Sequence, residues 1–114
     1  MRELTLTTLG AMVEEHDTVV VDFWAPWCTS CHRFRPIFAD VAARVQDVQF
    51  ATVNTDEQQD LAAIMGIQSL PTVVAFRHGK YVFAKSGVPT RRQLTHIVEQ
   101  VKMIDSQSSS EPVE

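Results

Sequence analysis

Cys28 and Cys31 are the only two cysteines among 114 residues, and they stand three apart in Asp22-Phe23-Trp24-Ala25-Pro26-Trp27-Cys28-Thr29-Ser30-Cys31. Such a pair supports dithiol–disulfide exchange when one sulfur is held as a thiolate. The flanking pattern provides the means. Before the pair, Thr18 to Trp24 is a short β-branched and aromatic run suited to a strand buried on both faces. After it, Phe34, Ile37, Phe38, Val41, Ala42 and Val45 recur at helical spacing, so the pair sits where a helix begins. A helix start offers unpaired amides and the positive end of the helix dipole, which favour a thiolate at Cys28. The i, i+3 spacing sets Cys31 one turn on, where it can resolve a mixed disulfide formed at Cys28.

Three other readings use the same letters. Half of a zinc site is one, but a structural site needs four ligands, and beyond the pair there is no second cysteine pair, only His16, His32, His78 and His96 scattered along the chain. Cys28-Thr29-Ser30-Cys31-His32 also matches the pattern for covalent haem attachment, a reaction of compartments outside the cytoplasm. No export signal is read here, because Glu3, Glu14 and Glu15 fall where a basic start and an apolar middle belong. Two buried, inert thiols are the third reading, and they fit poorly with Trp27 alongside and a helix start.

Composition narrows the partners. With 45% hydrophobic residues and few glycines or prolines, 114 residues can bury the core of one domain. A formal charge of −4 offers no footprint for nucleic acid or anionic membrane, and no apolar run is long enough to span a bilayer. A cytoplasmic protein is expected, and there a lone cysteine pair is catalytic or metal-binding more often than structural.

The elements that must position the pair alternate along the chain. A helix is expected over Leu6 to Glu15, then the strand ending at Trp24, then the helix after Cys28, kinked by Pro36. Val48 to Val53 reads as a strand and Glu57 to Met65 as a helix closed by Gly66. Thr72 to Phe76 and Tyr81 to Ala84 read as a hairpin across Arg77-His78-Gly79-Lys80, with a last helix from about Thr90. The order implies an α/β fold, a central mixed sheet of four to five strands flanked by four helices on both faces. Residues 1–104 make the domain, and the polar segment 105–114 is expected to be a disordered tail.

From Leu6 to Met103 the chain resembles the thioredoxin family. The resemblance rests on Asp22-Phe23-Trp24-Ala25, Trp27-Cys28-x-x-Cys31 and Pro36, and on Val53-Asn54-Thr55-Asp56, Gly66-Ile67, Leu70-Pro71-Thr72, Phe76-Arg77-x-Gly79 and Gly87, in order and in register. It implies a thioredoxin fold and exchange with protein disulfides, with Cys28 as attacking sulfur and Cys31 as resolving sulfur. Asp22 corresponds to the family's buried acid, which takes and returns the proton of the resolving cysteine, and desolvation should raise its pKa. Pro71 corresponds to the cis-proline beside the sulfurs, and Leu70 offers backbone to an extended client segment. Trp27, Leu70, Gly87 and Val88 would form the groove around Cys28. No metal or organic cofactor is required. The implied partners are disulfide-bearing client proteins and a thioredoxin reductase, with the chain acting as a monomer.

Three departures from the family pattern carry expectations. Thr29-Ser30 replaces the usual Gly-Pro, and hydroxyls near the Cys28 thiolate should make the couple more oxidising. Thr52 stands where a lysine commonly pairs with the buried acid, so Asp22 should be harder to ionise. The chain before Leu6 is short, so the first edge strand should be reduced or missing and that sheet edge less protected. His32, Arg33 and Arg35 are read as a solvated helix face.

Overall fold

In the computed structural model, which describes residues 1–104, strand β2 (Thr18–Trp24) is the spine of a five-stranded mixed sheet ordered β1-β3-β2-β4-β5. β1 (Arg2–Glu3) runs parallel to β3 (Gln49–Asn54), and β3 parallel to β2. On the other side β4 (Thr72–Arg77) is antiparallel to β2, and β5 (Lys80–Ser86) antiparallel to β4. Four helices, α1 (Leu6–Glu15), α2 (Thr29–Arg44), α3 (Gln59–Ile64) and α4 (Arg91–Lys102), complete the expected architecture. The tail 105–114 lies outside the described residues.

The two-residue period of β2 divides its side chains between two cores. Val19, Val21 and Phe23 join Leu9 and Met12 of α1 and Leu61 of α3. Val20 points the other way, onto Phe34, Phe38 and Val41 of α2 and Leu94 and Val98 of α4. Asp22 has the parity of Val20, so the chain places a carboxyl on the face that α2 covers. Being central, β2 is buried at every residue but the last, which is why, Asp22 apart, its interior is apolar on both faces rather than alternating.

Element boundaries shift where side chains compete for backbone groups. α3 starts at Gln59, not Glu57, because Asn54 Oδ1 accepts the amides of Asp56 (2.9 Å) and Glu57 (3.3 Å) and holds them in a turn. Its end is capped as expected: Ile67 N–H donates to the Ala62 carbonyl and Gly66, at φ +68°, to that of Ala63. α2 continues through Pro36 to Arg44 as one helix. The hairpin turn has positive φ at both His78 and Gly79, the combination a two-residue type I′ turn requires. The first edge strand is present but reduced to two residues, and Leu4 N–H extends its attachment with a 2.8 Å bond to the Thr52 carbonyl.

Candidate active site

Cys28 is the N-cap of α2 and joins Cys31 in a disulfide, with Cα atoms 5.2 Å apart. Its Sγ accepts the Cys31 amide at 3.1 Å, so the sulfur meets one of the orphan donors of the helix start. The same contact would stabilise negative charge once the disulfide opens. The sulfurs differ in access, with Cys28 7% exposed against 1% for Cys31. An incoming group therefore reaches Cys28 first.

A cleft of about 250 Å³ opens beside Cys28, lined by Trp27, Thr55, Ala62, Ile67, Ser69 and Leu70 among others. Trp27 is 69% exposed, and its indole N–H donates to Asp56 Oδ1 at 3.1 Å, which orients the ring over the cleft. Leu70 and Pro71 are joined by a cis peptide bond, and the Pro71 carbonyl accepts the Gly87 amide at 2.9 Å. Gly87 thus adjoins Pro71 without lining the cleft. Val88 packs into the core under α2 and α4.

Asp22 is fully buried, and neither of its carboxylate oxygens has a hydrogen-bond partner among the described residues. Burial pushes its pKa up to about 7; the Arg35 guanidinium pulls against that rise and the Glu3 carboxylate adds to it. Local backbone hydrogen bonds do not satisfy it, so it meets neutral pH poised between acid and base.

One expectation is corrected at this site, and it concerns Arg35. Thr52 does sit directly opposite Asp22, but its hydroxyl donates to Glu3 Oε2 at 2.6 Å, and the positive field at Asp22 comes from Arg35. Arg35 is half-buried rather than on a solvated face: its Cζ lies 4.4 Å from the centre of the Trp24 ring and its Nε is buried. His32 and Arg33 are exposed as expected. In the disulfide form no hydroxyl of Thr29 or Ser30 bonds to Cys28, which leaves the expectation for the reduced thiolate as it stands. Ser30 Oγ instead accepts from Arg33 at 3.2 Å, because residues three apart on a helix are neighbours.

Sequence reasoning passed over Glu3 and Asp56 as site residues and gave Arg35 the wrong surroundings. For Arg35 a signal existed, since its i+4 relation to Cys31 puts both on the sheet-facing side of α2. Glu3 had none, because its contacts with Trp24 and Thr52 span 21 and 49 residues.

Among the described residues no three His, Cys, Asp or Glu side chains are grouped so as to hold a metal ion, and no helix is long and apolar enough to cross a membrane. The family model described as Thioredoxin matches residues 1–100.

The chain belongs to the thioredoxin family.

Thioredoxin from Mycoplasma pneumoniae is 40% identical over 96 residues, covering 84% of this chain and 94% of the relative. Solved thioredoxins superpose closely. Mitochondrial thioredoxin 3 of Saccharomyces cerevisiae, in its oxidised form, gives a TM-score of 0.83 at 25% identity, over 88% of this chain and 94% of that one. Fasciola hepatica thioredoxin gives 0.82 at 30% identity, over 88% and 98%. This thioredoxin is a thiol–disulfide oxidoreductase acting on protein disulfides.

Proposed function

We propose that this thioredoxin reduces client disulfides through Cys28, with Cys31 as resolving sulfur and Asp22 as its proton acceptor. The reduced chain attacks with the Cys28 thiolate; one client sulfur bonds to Cys28 and the other leaves as a thiolate. Cys31 passes its proton to the Asp22 carboxylate, attacks Cys28 and closes the intramolecular disulfide, releasing the client's remaining thiolate. The client gains two electrons and the thioredoxin loses two.

The observation that carries this reading is the difference between the two sulfurs. Cys28 caps the helix at the edge of a cleft, whereas Cys31 is enclosed with Ala25 and Leu70 around the pair. Leu70 offers backbone to an extended client segment, Trp27 shelters it, and Pro71, held by Gly87, closes the side facing the sulfurs. Val88 supports that wall from the core. Residues 1–104 act as the redox domain, a monomer in the reducing cytoplasm, where a lone cysteine pair is kept as a working dithiol. A thioredoxin reductase supplies the electrons, which places the chain in an electron-transfer route to its clients.

Capture experiments test the reading. A Cys31→Ser variant should accumulate clients disulfide-linked to Cys28 that a reductant releases, and Cys28→Ser should capture none. Equal non-covalent capture by both variants and the native chain would instead identify a redox-independent binding module.

A further inference from the structure

The three buried side-chain nitrogen or oxygen atoms that lack a hydrogen-bond partner among the described residues are Asp22 Oδ1, Asp22 Oδ2 and Arg35 Nε. They are an acceptor pair and a donor of opposite charge. Unpaired buried charges are costly, so two complementary groups on facing elements, the one acting electrostatically on the other, belong to a common device.

The surrounding residues form an ordered row. Trp24, two residues along β2 from Asp22, shares its face of the sheet. The Arg35 guanidinium lies over the Trp24 ring, Cζ at 4.4 Å from the centroid, while the indole N–H donates to Glu3 Oε2 at 2.8 Å. Thr52 is the register partner of both Asp22 on β2 and Glu3 on β1, and its hydroxyl gives that same Glu3 oxygen a 2.6 Å bond. One indole thus holds a cation from helix α2 on its face and an anion from the edge strand at its rim. Both fields act on Asp22, in opposite senses.

Among the described residues no other charge acts on Asp22 from that face. α2 presents Cys31 and Arg35 there, β3 presents Thr52 and β1 Glu3, while β4 gives Val73 and α4 the apolar Leu94 and Val98.

We propose that Arg35 and Glu3 are opposed positioning residues for Asp22: the guanidinium carried on Trp24 draws the carboxyl toward its ionised form, and the carboxylate docked by Trp24 and Thr52 holds it toward its protonated form. The departure at position 52, threonine where a lysine is common, is thereby compensated from a different element, and the two-residue edge strand acquires a task beyond pairing. This inference rests on Asp22 as proton acceptor for its consequence in exchange, but not for the pairing itself.

Following the Asp22 side-chain carbonyl by carbon-13 NMR across pH, in the full oxidised chain, tests the pairing directly. Arg35→Gln should move the Asp22 midpoint above its native value of about 7 and Glu3→Gln should move it below. Arg35→Lys, which keeps the charge, should return it toward the native position. Because Glu3 is exposed on a two-residue strand, its variant keeps the fold even if the Arg35 variants do not. Midpoints that stay in place in Arg35→Gln and Glu3→Gln, or move in the same direction, overturn the pairing. The pH profile of disulfide reduction is the separate readout of Asp22's role. A profile that follows the midpoint supports both readings, whereas one that stays put while the midpoint moves overturns the proton transfer and leaves the pairing established.

Discussion

Replacing Asp22 by asparagine should stabilise the disulfide form, by an amount that depends on pH. Asp22 has a folded pKa of about 7 against an ordinary value of 3.8. Between those values the folded chain holds a proton that the unfolded chain has released, so stability falls as pH rises. The stabilising difference is fully present below the ordinary value and lost once pH has passed the folded one. A rise of about three units, at about 1.4 kcal/mol each, makes the native chain about 4 kcal/mol less stable at pH 9 than at pH 4 through this group alone. That is a large share of the ~5–15 kcal/mol that keeps a domain folded. Asparagine has nearly the same shape and cannot ionise, and its buried amide lacks partners much as the protonated acid does. The difference in stability between variant and native should therefore be small at pH 4 and grow to about 4 kcal/mol at pH 9. Equilibrium unfolding in urea of both oxidised proteins at pH 4, 7 and 9 measures it. Other titrating groups are common to the two chains and cancel. Parallel stability curves across that range would refute the assignment of a buried, raised carboxyl at position 22.

Four further outcomes are expected. In the proposed mechanism resolution of the mixed disulfide uses ionised Asp22, so its rate in single-turnover mixing should rise as pH passes about 7, and Asp22→Asn should flatten that rise. Trp27→Ala removes an exposed ring and its bond to Asp56, so thermal stability should barely move while kcat/KM for a protein disulfide falls about tenfold. Gly87→Ala meets open space but holds φ at +98°, so it should cost about 1–3 kcal/mol in urea unfolding through backbone strain. Thr29→Gly with Ser30→Pro should make the reduction potential more negative on equilibration with a dithiol buffer, and an unchanged or less negative value would show that the two hydroxyls do not favour the reduced form.

Most of the scaffold was legible because it obeys local rules. The β-branched and aromatic run of β2 announces a central strand, the apolar stripe from Phe34 to Val41 announces the helix beneath it, and Gly66 and Gly79 mark places that need positive φ. α3 was misjudged by two residues at its start because the Asn54 side chain claimed amides that helix propensity alone assigned to the helix.

The sequence by itself determined where chemistry could occur: two cysteines three apart at a helix start mark a dithiol, and an acid inside a buried strand marks a carboxyl that is costly to ionise. Only the tertiary structure decided how that acid is tuned. Its charge environment is assembled from β1, β3 and α2, and the contacts that tie β1 to β2 and β3 span 21 to 50 positions of chain. Electrostatic fields depend on distance through space, and parallel pairing of a two-residue edge strand, rather than any local pattern, brings Glu3 to bear on Asp22.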